Sequence, residues 1–296
     1  MTVHYESQEP GFLARAKRAL AFRFLRERPT SVPHIHLLCD PGEFVGMHVV
    51  VDGIYENRLI AMVRAIVAAN PTLFRGCVAL DVGANIGCFC LSISDLFAHV
   101  YAFEPGAKSG AVLATNIAYN RLSNVTVSRN ALSDNDGEMT LYEFDENLGG
   151  TSLHRPEGEH LAPSCSYQVP VSRGDTIVPG LCGEKRIGLI KLDVEGHEAA
   201  ALVGLAGTIR KHAPIILFEA NDRGSLERVL QVLRSYAYTR FFDLQPSGWP
   251  LDASLLRKAL AIAAGAAHPR AMPLEEAASR RYEMVLAVPD KAQIVV

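Results

Sequence analysis

Short apolar runs separated by amphipathic segments fill the chain from residue 78 onward. Apolar runs of about four to eight residues bounded by turn residues predict strands, and the segments between them predict helices. The run at 187–194 is apolar apart from Lys191 and Asp193, as expected of a central strand in a parallel sheet. The pattern predicts a doubly wound α/β fold, with a ligand crevice at the carboxyl ends of the strands. The other predicted strands outside the first βαβ unit are 124–128, 138–144, 169–171, 214–220, 238–244 and 282–288.

The clearest unit is 78–105, which reads as a strand, a turn with two glycines, a helix and a second strand ending at Glu104. Gly83 and Gly87 would let the backbone approach a ligand and let the helix pack closely. Their spacing lacks the dinucleotide-binding fingerprint. Asp81 beside the turn would repel a pyrophosphate, whereas it suits a ligand that carries an ammonium group.

Glu104 follows the next strand, where a carboxylate can accept two hydrogen bonds from a ribose diol. S-adenosylmethionine (SAM) combines a ribose diol with a sulfonium and an ammonium group, and it contains no phosphate. The turn and Glu104 together therefore predict a SAM site. In the alternative interpretation, the glycines serve only the packing of an ordinary βαβ unit.

A cluster of ionisable residues follows the central strand and forms the candidate chemical centre, since this point of a doubly wound sheet faces the crevice. His197 and Asp193 are candidates for a general base, with Glu195 orienting the imidazole. Alternatively, Asp193, Glu195 and Glu219 bind a Mg²⁺ ion that acidifies a hydroxyl group. The purely structural alternative is capping of the following helix.

The composition favours a soluble globular protein over one that binds nucleic acid or spans a membrane. The 296 residues are 49% hydrophobic and 21% charged, with a net charge of −3. Six scattered cysteines without a CxxC pair predict a reducing, cytoplasmic setting. A basic amphipathic pattern at 12–28 predicts a helix on the domain edge, or a transit or membrane-surface helix.

The segments on either side of the predicted crevice carry further candidates. The segment 34–51 is strand-like apart from a turn at 40–42, and a helix is predicted at 57–69. The polar stretch 145–166 is long for a loop and predicts a binding loop or a surface excursion. Ser152 in this loop and Glu219 are the candidate acceptor contacts.

Nine stretches between residues 53 and 220 together resemble the FkbM-type SAM-dependent methyltransferases, and they occur in that family's order. They are GIYE (53–56), LDVGANIG (80–87), YAFEP (101–105), NIAYNRLSNV (116–125), NALSDNDG (130–137), GGTSL (149–153), VPVSRGDTI (169–177), LIKLDVEGHEAAALVG (189–204) and PIILFEA (214–220). Two stretches depart from the family pattern, namely Cys88–Cys90 and the VSRGDTI segment.

The resemblance implies a seven-stranded, mostly parallel sheet with an antiparallel last strand, and methyl transfer to a hydroxyl of a sugar, glycan or secondary metabolite. A nitrogen or carboxyl acceptor and a non-catalytic SAM- or partner-binding module are the alternatives. The resemblance also implies cofactor roles for individual residues. The methionine part of SAM would lie against Tyr55, Glu56, Asp81, Gly83, Ala84, Asn85, Gly87 and Asp193, the ribose against Glu104, and the adenine against Asn130 and Ala131.

The resemblance also divides the chain. Residues 1–52 form an extension with a helix and a strand, and 53–296 form the methyltransferase domain with an insertion at about 246–281. Because these two parts lie outside the resemblance, we expect them to choose a small-molecule or carbohydrate acceptor. The sequence leaves the oligomeric state and the use of Mg²⁺ open.

Overall fold

The computed structural model of the chain describes residues 35–155, 162–245, 270–274 and 282–296. The strands are β1 (Val78–Val82), β2 (His99–Phe103), β3 (Val125–Ser128), β4 (Ala131–Ser133), β5 (Gly137–Glu143), β6 (Cys165–Arg173), β7 (Ile187–Leu192), β8 (Ile215–Ala220), β9 (Tyr238–Gln245), β10 (Arg270–Pro273) and β11 (Tyr282–Pro289). The helices are α1 (Phe44–Asp52), α2 (Asn57–Ala69), α3 (Pro71–Phe74), α4 (Cys88–Ser92), α5 (Ala107–Tyr119), α6 (Gly174–Cys182), α7 (Glu198–Gly204), α8 (Ala206–His212) and α9 (Arg223–Arg234). Short 3₁₀ turns lie at Ser94–Leu96 and Leu148–Gly150.

The main sheet has the strand order β10-β9-β11-β8-β7-β1-β2-β3. Strands β8, β7, β1, β2 and β3 are parallel neighbours, and β11 is inserted antiparallel between β8 and β9. The predicted fold class and the antiparallel last strand are therefore confirmed. The described sheet has an eighth strand, because β10 pairs with β9 at the edge, inside the predicted insertion.

Strand alternation directs side chains into two apolar layers, one on each face of the sheet. Ala79 points to the layer that contains α1 to α5, whereas Leu80 points to the layer that contains α6 to α9. Asp81 follows Ala79 by two positions, and it pairs in register with Lys191 on β7. Two ionisable residues therefore enter the centre of the protein side by side, directly below the carboxyl ends of the strands.

The predicted strand through residues 44–51 is wrong, since these residues form α1. Glu43 begins the helix, because its side chain accepts hydrogen bonds from the backbone N–H groups of Val45 and Gly46. Val45 and Val49 are buried in the core one helical turn apart, whereas Val50 and Val51 are exposed. Tertiary packing overrides the strand preference of the β-branched residues here.

A second sheet with the order β4-β6-β5 lies beside the carboxyl end of β3. The strand predicted at 138–144 is confirmed as β5, and the strand predicted at 169–171 is the end of the longer β6. Residues 131–133, for which the sequence analysis predicted no strand, pair with β6 as the short strand β4. This sheet supports the site described below.

Several predictions concern residues outside the described ranges. These are the basic helix at 12–28, residues 156–161 of the long loop and most of the insertion at 246–281. The domain boundary at residue 53 stays a prediction. Across the described ranges, no helix has both the length and the apolar character to cross a bilayer. All six cysteines lie within those ranges, and each is a free thiol.

Candidate active site

A cavity of about 1330 Å³ opens where β1, β2, β7 and β8 end. This volume exceeds the roughly 300–1,000 Å³ of most single-ligand pockets, so a nucleoside and a second reactant can share it. Most of the residues predicted from the sequence line this cavity, namely Tyr55, Glu56, Gly83, Ala84, Asn85, Glu104, Ala131, Asp193, Glu195, His197 and Glu219. Four others stand behind its wall, namely Asp81, Gly87, Asn130 and Ser152.

The first turn requires glycine at two positions, for a different physical reason at each. Gly83 has a φ of +85°, and a Cβ there would lie 1.8 Å from the carbonyl oxygen of Asp193. Gly87 has a φ of +97°, and a Cβ would lie 2.6 Å from side-chain atoms of both Leu91 and Leu113. Gly83 therefore lets the turn meet the end of β7, whereas Gly87 lets α4 and α5 pack together.

Glu104 is fixed by hydrogen bonds at both carboxylate oxygens. Its Oε2 accepts the backbone N–H of Asn85 at 2.7 Å, while Oε1 accepts the N–H of Gly106 and the hydroxyl of Ser109, each at 2.8 Å. Burial raises its pKa, and the donated hydrogen bonds oppose that shift. A carboxylate can accept about four hydrogen bonds, so Glu104 retains the capacity to bind a hydroxyl in the cavity.

A second buried carboxylate, Glu143, supports Glu104 and was missed by sequence reasoning. Its Oε1 accepts the backbone N–H of Ala107 at 3.0 Å and the hydroxyl of Tyr167 at 2.6 Å. Glu104 and Glu143 therefore meet at the start of α5, where the helix dipole favours negative charge. The sequence signal that could have identified Glu143 is the alternation of inward and outward side chains along β5, which places Glu143 on the same inward face as the buried Leu141.

Lys191 is the buried cation of the site, with 3% of its side chain exposed. Its ammonium donates to Asp193 Oδ2 at 2.8 Å and lies 3.9 Å from Glu56 Oε2. Burial alone would lower the pKa of Lys191, but Asp193, Glu56 and Asp81 together raise it well above its ordinary value. Lys191 is therefore a permanent cation and does not act as a proton acceptor.

Asp81, predicted to contact the ligand, is instead completely buried beside Lys191. Burial raises the pKa of Asp81 to about 6, and the ammonium of Lys191 opposes the shift. Glu56 does border the cavity, and its φ of 57° is a left-handed conformation at the residue before α2. Tyr55 next to it is partly buried, and burial followed by the charge of Glu56 raises its pKa.

His197 does not form the predicted pair with Asp193. Its Nε2 lies 3.0 Å from Ser133 Oγ and its Nδ1 lies 3.2 Å from His154 Nε2, whereas Asp193 turns toward Lys191. Burial, reinforced by the neighbouring imidazole of His154, lowers the pKa of His197 to about 4. His197 is thus neutral near pH 7, with both ring nitrogens engaged.

Three acidic side chains converge where β7 and β8 end. One carboxylate oxygen from each of Asp193, Glu195 and Glu219 lies within 4.8 Å of the other two. Glu195 Oε2 also accepts a hydrogen bond from Asn221 Nδ2 at 3.2 Å. Oxygen ligands at this separation suit a divalent cation, and they suit an ammonium group equally.

The loop at 147–153, part of the stretch predicted as a binding loop or a surface excursion, forms another wall of the cavity. Ser152 anchors the loop instead of facing the cavity, because its hydroxyl donates to the backbone oxygen of Glu195 at 3.0 Å. Phe44 and His48 of α1 also line the cavity. Sequence reasoning missed both, since it treated this segment as a strand.

Comparison with known proteins agrees with this geometry. The model of the FkbM methyltransferase domain family matches residues 81–239, which is just over half of the chain. The 31-O-demethyl-FK506 methyltransferase FkbM of Streptomyces tacrolimicus is 29% identical over 205 residues, covering 58% of this chain and 76% of that protein. The hexuronic acid methyltransferase AglP of Haloferax volcanii is 29% identical over 136 residues, covering 45% of this chain and 52% of that protein.

A third relative and a solved structure complete the comparison. Methyltransferase 1 of Beauveria bassiana is 25% identical over 142 residues, covering 43% of this chain and 57% of that protein. The chain thus spans between about half and three quarters of these curated relatives. The crystal structure of the methyltransferase FkbM from Methylobacillus flagellatus is 14% identical, covers 93% of this chain and 60% of that one, and has a TM-score of 0.41. On its sequence, the chain belongs to the FkbM methyltransferase family.

Proposed function

We propose that this methyltransferase uses SAM to methylate a hydroxyl group of a sugar, a glycan or a secondary metabolite. The observation that carries the cofactor assignment is Glu104, whose carboxylate borders the cavity and is tied to the first turn through Asn85 at 2.7 Å. The acceptor class is supported by the names of two relatives, which give 31-O-demethyl-FK506 and hexuronic acid as their substrates.

The residues present in the cavity fit SAM. Asn85 Oδ1 and Thr151 Oγ1 are buried in the cavity wall without a hydrogen-bond partner among the described residues, so a bound ligand could satisfy them. Glu104 would hold the ribose hydroxyls, and Glu56 with Asp193 would face the methionine ammonium group. Bound there, SAM would supply an electrophilic methyl group.

Adenine would lie on the side of the second sheet. Ala131 and Leu132 line the cavity there. Asn130 is held behind them, because its side chain contacts the hydroxyls of Ser128 at 3.3 Å and Ser172 at 3.2 Å. Asn130 would therefore shape this wall more than it would bind the base through its side chain.

The remaining volume, at the ends of β7 and β8, is where the acceptor would bind. Orienting two reactants can lower a barrier by roughly 7–11 kcal/mol, and a positioned base adds about 10²–10⁴-fold in rate. Asp193, Glu195 and Glu219 would either orient the hydroxyl directly or hold a Mg²⁺ ion that acidifies it. Full activity in EDTA would favour direct orientation, and loss of activity restored by Mg²⁺ would favour the ion.

The test combines binding with product analysis. Titration calorimetry with SAM and S-adenosylhomocysteine should detect binding of both ligands. Incubation with methyl-labelled SAM and a panel of methyl glycosides, including hexuronosides, should give a labelled ether that resists alkali. An alkali-labile ester would identify a carboxyl methyltransferase, and label on an amine would identify a nitrogen methyltransferase. Binding of SAM without transfer to any panel member or cell extract would support a non-catalytic module.

A further inference from the structure

An aromatic cluster of Phe44, His48 and Tyr55 forms one wall of the cavity. The ring centroid of Phe44 lies 4.7 Å from that of His48 and 6.1 Å from that of Tyr55, and the rings of His48 and Tyr55 lie 5.7 Å apart. Phe44 lines the cavity and yet has 44% of its surface exposed, so it lies where the cavity opens to solvent. Phe44 and His48 have no part in the SAM binding proposed above.

The helix α1, which carries two of these rings, is fixed to the rest of the site. The backbone N–H of Phe44 donates to the carbonyl oxygen of Glu146 at 3.0 Å, next to the loop at 147–153. His48 Nδ1 lies 2.9 Å from Asp52 Oδ2, one helical turn further on, and this contact restricts rotation of the imidazole. The aromatic cluster is therefore preformed, which lowers the conformational entropy lost when a ligand binds against it.

Carboxyl groups dominate the charge of the cavity. Among the described residues, the acidic side chains that line it are Asp52, Glu56, Glu104, Asp193, Glu195 and Glu219. The basic side chains that line it there are Arg58 and Lys191. SAM carries one net positive charge, because its sulfonium and ammonium groups outweigh its carboxylate. The acids therefore still outnumber the cations when SAM is bound, and an anionic acceptor would enter against this charge.

The aromatic cluster adjoins the three carboxylates that converge at the ends of β7 and β8. Tyr55 directly precedes Glu56, whose Oε2 lies 3.9 Å from the ammonium of Lys191 on β7. Burial first, and then the charges of Glu56 and Asp193, raise the pKa of the Tyr55 hydroxyl. One region of the cavity therefore presents aromatic rings and carboxylates together.

The two halves of this region suit different parts of a sugar. An aromatic ring packs against the apolar C–H face of a pyranose. A carboxylate accepts hydrogen bonds and donates none, so it pairs with hydroxyl groups and not with a second carboxylate. At an effective dielectric constant of about 20, two like charges roughly 6 Å apart repel strongly enough to weaken binding about 10²-fold.

We propose that the acceptor is an uncharged sugar unit, with one ring face on the aromatic cluster and its hydroxyls donating to the three carboxylates. The inference rests on the proposed function and narrows its acceptor class. It makes Phe44 and His48 acceptor-binding residues, and it makes Glu195 and Glu219 the residues that exclude an acidic sugar. It also assigns the carboxylates to direct contact with hydroxyls instead of to a metal ion.

The first test varies only the charge of the acceptor. The glycoside that the wild type methylates is compared with an analogue that carries a carboxylate and with the amide of that analogue, the group being placed on a carbon other than the methylated one. In EDTA, kcat/KM for the amide should exceed that for the carboxylate by about 10²-fold. Equal values would overturn the proposal. Loss of all transfer in EDTA that Mg²⁺ restores would also overturn it, because the acids would then hold the ion and not the sugar.

Substitutions locate the effect. Glu195→Gln and Glu219→Gln should each reduce the preference for the amide over the carboxylate by about 10-fold. Each preference is a ratio within one variant, so a general loss of activity cancels. Glu138→Gln, exposed on β5, is the control and should keep the wild-type preference. Phe44→Ala should raise KM for the neutral glycoside about 10-fold at an unchanged Kd for SAM, whereas Tyr119→Ala, on an aromatic side chain of α5 that is 61% exposed, should leave KM unchanged.

Two results with the variants would overturn the proposal, namely a wild-type preference in both glutamate variants and a wild-type KM in Phe44→Ala. Failure of the proposed function gives a different result. A wild type that transfers methyl to the oxygen of none of the three acceptors, with or without Mg²⁺, contradicts the proposed function itself. Transfer to oxygen without a preference between amide and carboxylate contradicts only the choice of an uncharged sugar.

Discussion

At the scale of single residues, the site depends most on Glu104. Replacing it by Gln keeps the size of the side chain but removes one of the two oxygens that accept hydrogen bonds from Asn85, Gly106 and Ser109. Hydrogen bonds to charged groups contribute about 1.5–3 kcal/mol each, so we expect Glu104→Gln to weaken SAM binding by roughly 10- to 100-fold in calorimetry. Glu138→Gln on the exposed part of β5 is the control. Equal SAM affinity in both variants would contradict the role of Glu104.

Individual site residues were predictable where the signal is local. The run that ends β7 and the acids after it place Asp193, Glu195 and His197 at the crevice, because strand ends in a parallel sheet share one edge. Their partners were not predictable in the same way. His154 reaches His197 from 43 positions away in the chain. No periodic pattern encodes such a contact, since it depends on how a loop folds back over the sheet.

At the scale of elements, α1 shows that a short capping interaction can reverse a prediction. Glu43 has 2% of its surface exposed, and its carboxylate satisfies two N–H groups of the first turn. We expect Glu43→Ala to lower the free energy of unfolding by about 1–2 kcal/mol, measured by urea denaturation, because both donors lose their partner. Glu43→Gln keeps one acceptor oxygen and should lose less. Equal stability of Glu43→Ala and wild type would show that packing of Val45 and Val49 alone holds α1.

The remaining helices and strands differ in how far their own residues determine the secondary structure. The central strands and α2, α5 and α9 were predictable, since an apolar run or a strong helical period marks each. The short strands β4 and β10 were not, because three or four residues carry too little pattern to separate a strand from a turn. Both strands exist because a neighbouring strand offers its edge. Pairing of this kind is a property of the assembled sheet.

At the scale of the whole molecule, burial of ionisable groups in the sheet centre links stability to pH. Burial raises the pKa of Glu198 from 4.5 to about 7 and that of Asp81 from 3.8 to about 6, so both groups bind a proton more tightly in the folded state. The contribution of these two groups to the free energy of unfolding is complete below their pKa in the unfolded chain. It is lost as the pH rises through their pKa in the folded protein. His197 acts in the opposite direction, because its lowered pKa of about 4 makes stability increase between pH 4 and 6.5.

Substitution of Glu198 separates its contribution to the pH dependence of stability from those of Asp81 and His197. Glu198 Oε1 accepts the backbone N–H groups of Val194 and Gly196, each at 3.2 Å, and Gln offers the same oxygen without a charge. Between pH 4.5 and 8 we expect Glu198→Gln to gain about 3 kcal/mol of unfolding free energy relative to wild type, from a shift of 4.5 to about 7 in pKa. Urea denaturation across this range measures the gain, with Glu138→Gln as the exposed control. Parallel curves for wild type and Glu198→Gln would mean that Glu198 ionises in the folded protein as readily as in the unfolded chain, and that the turn after β7 is open to water.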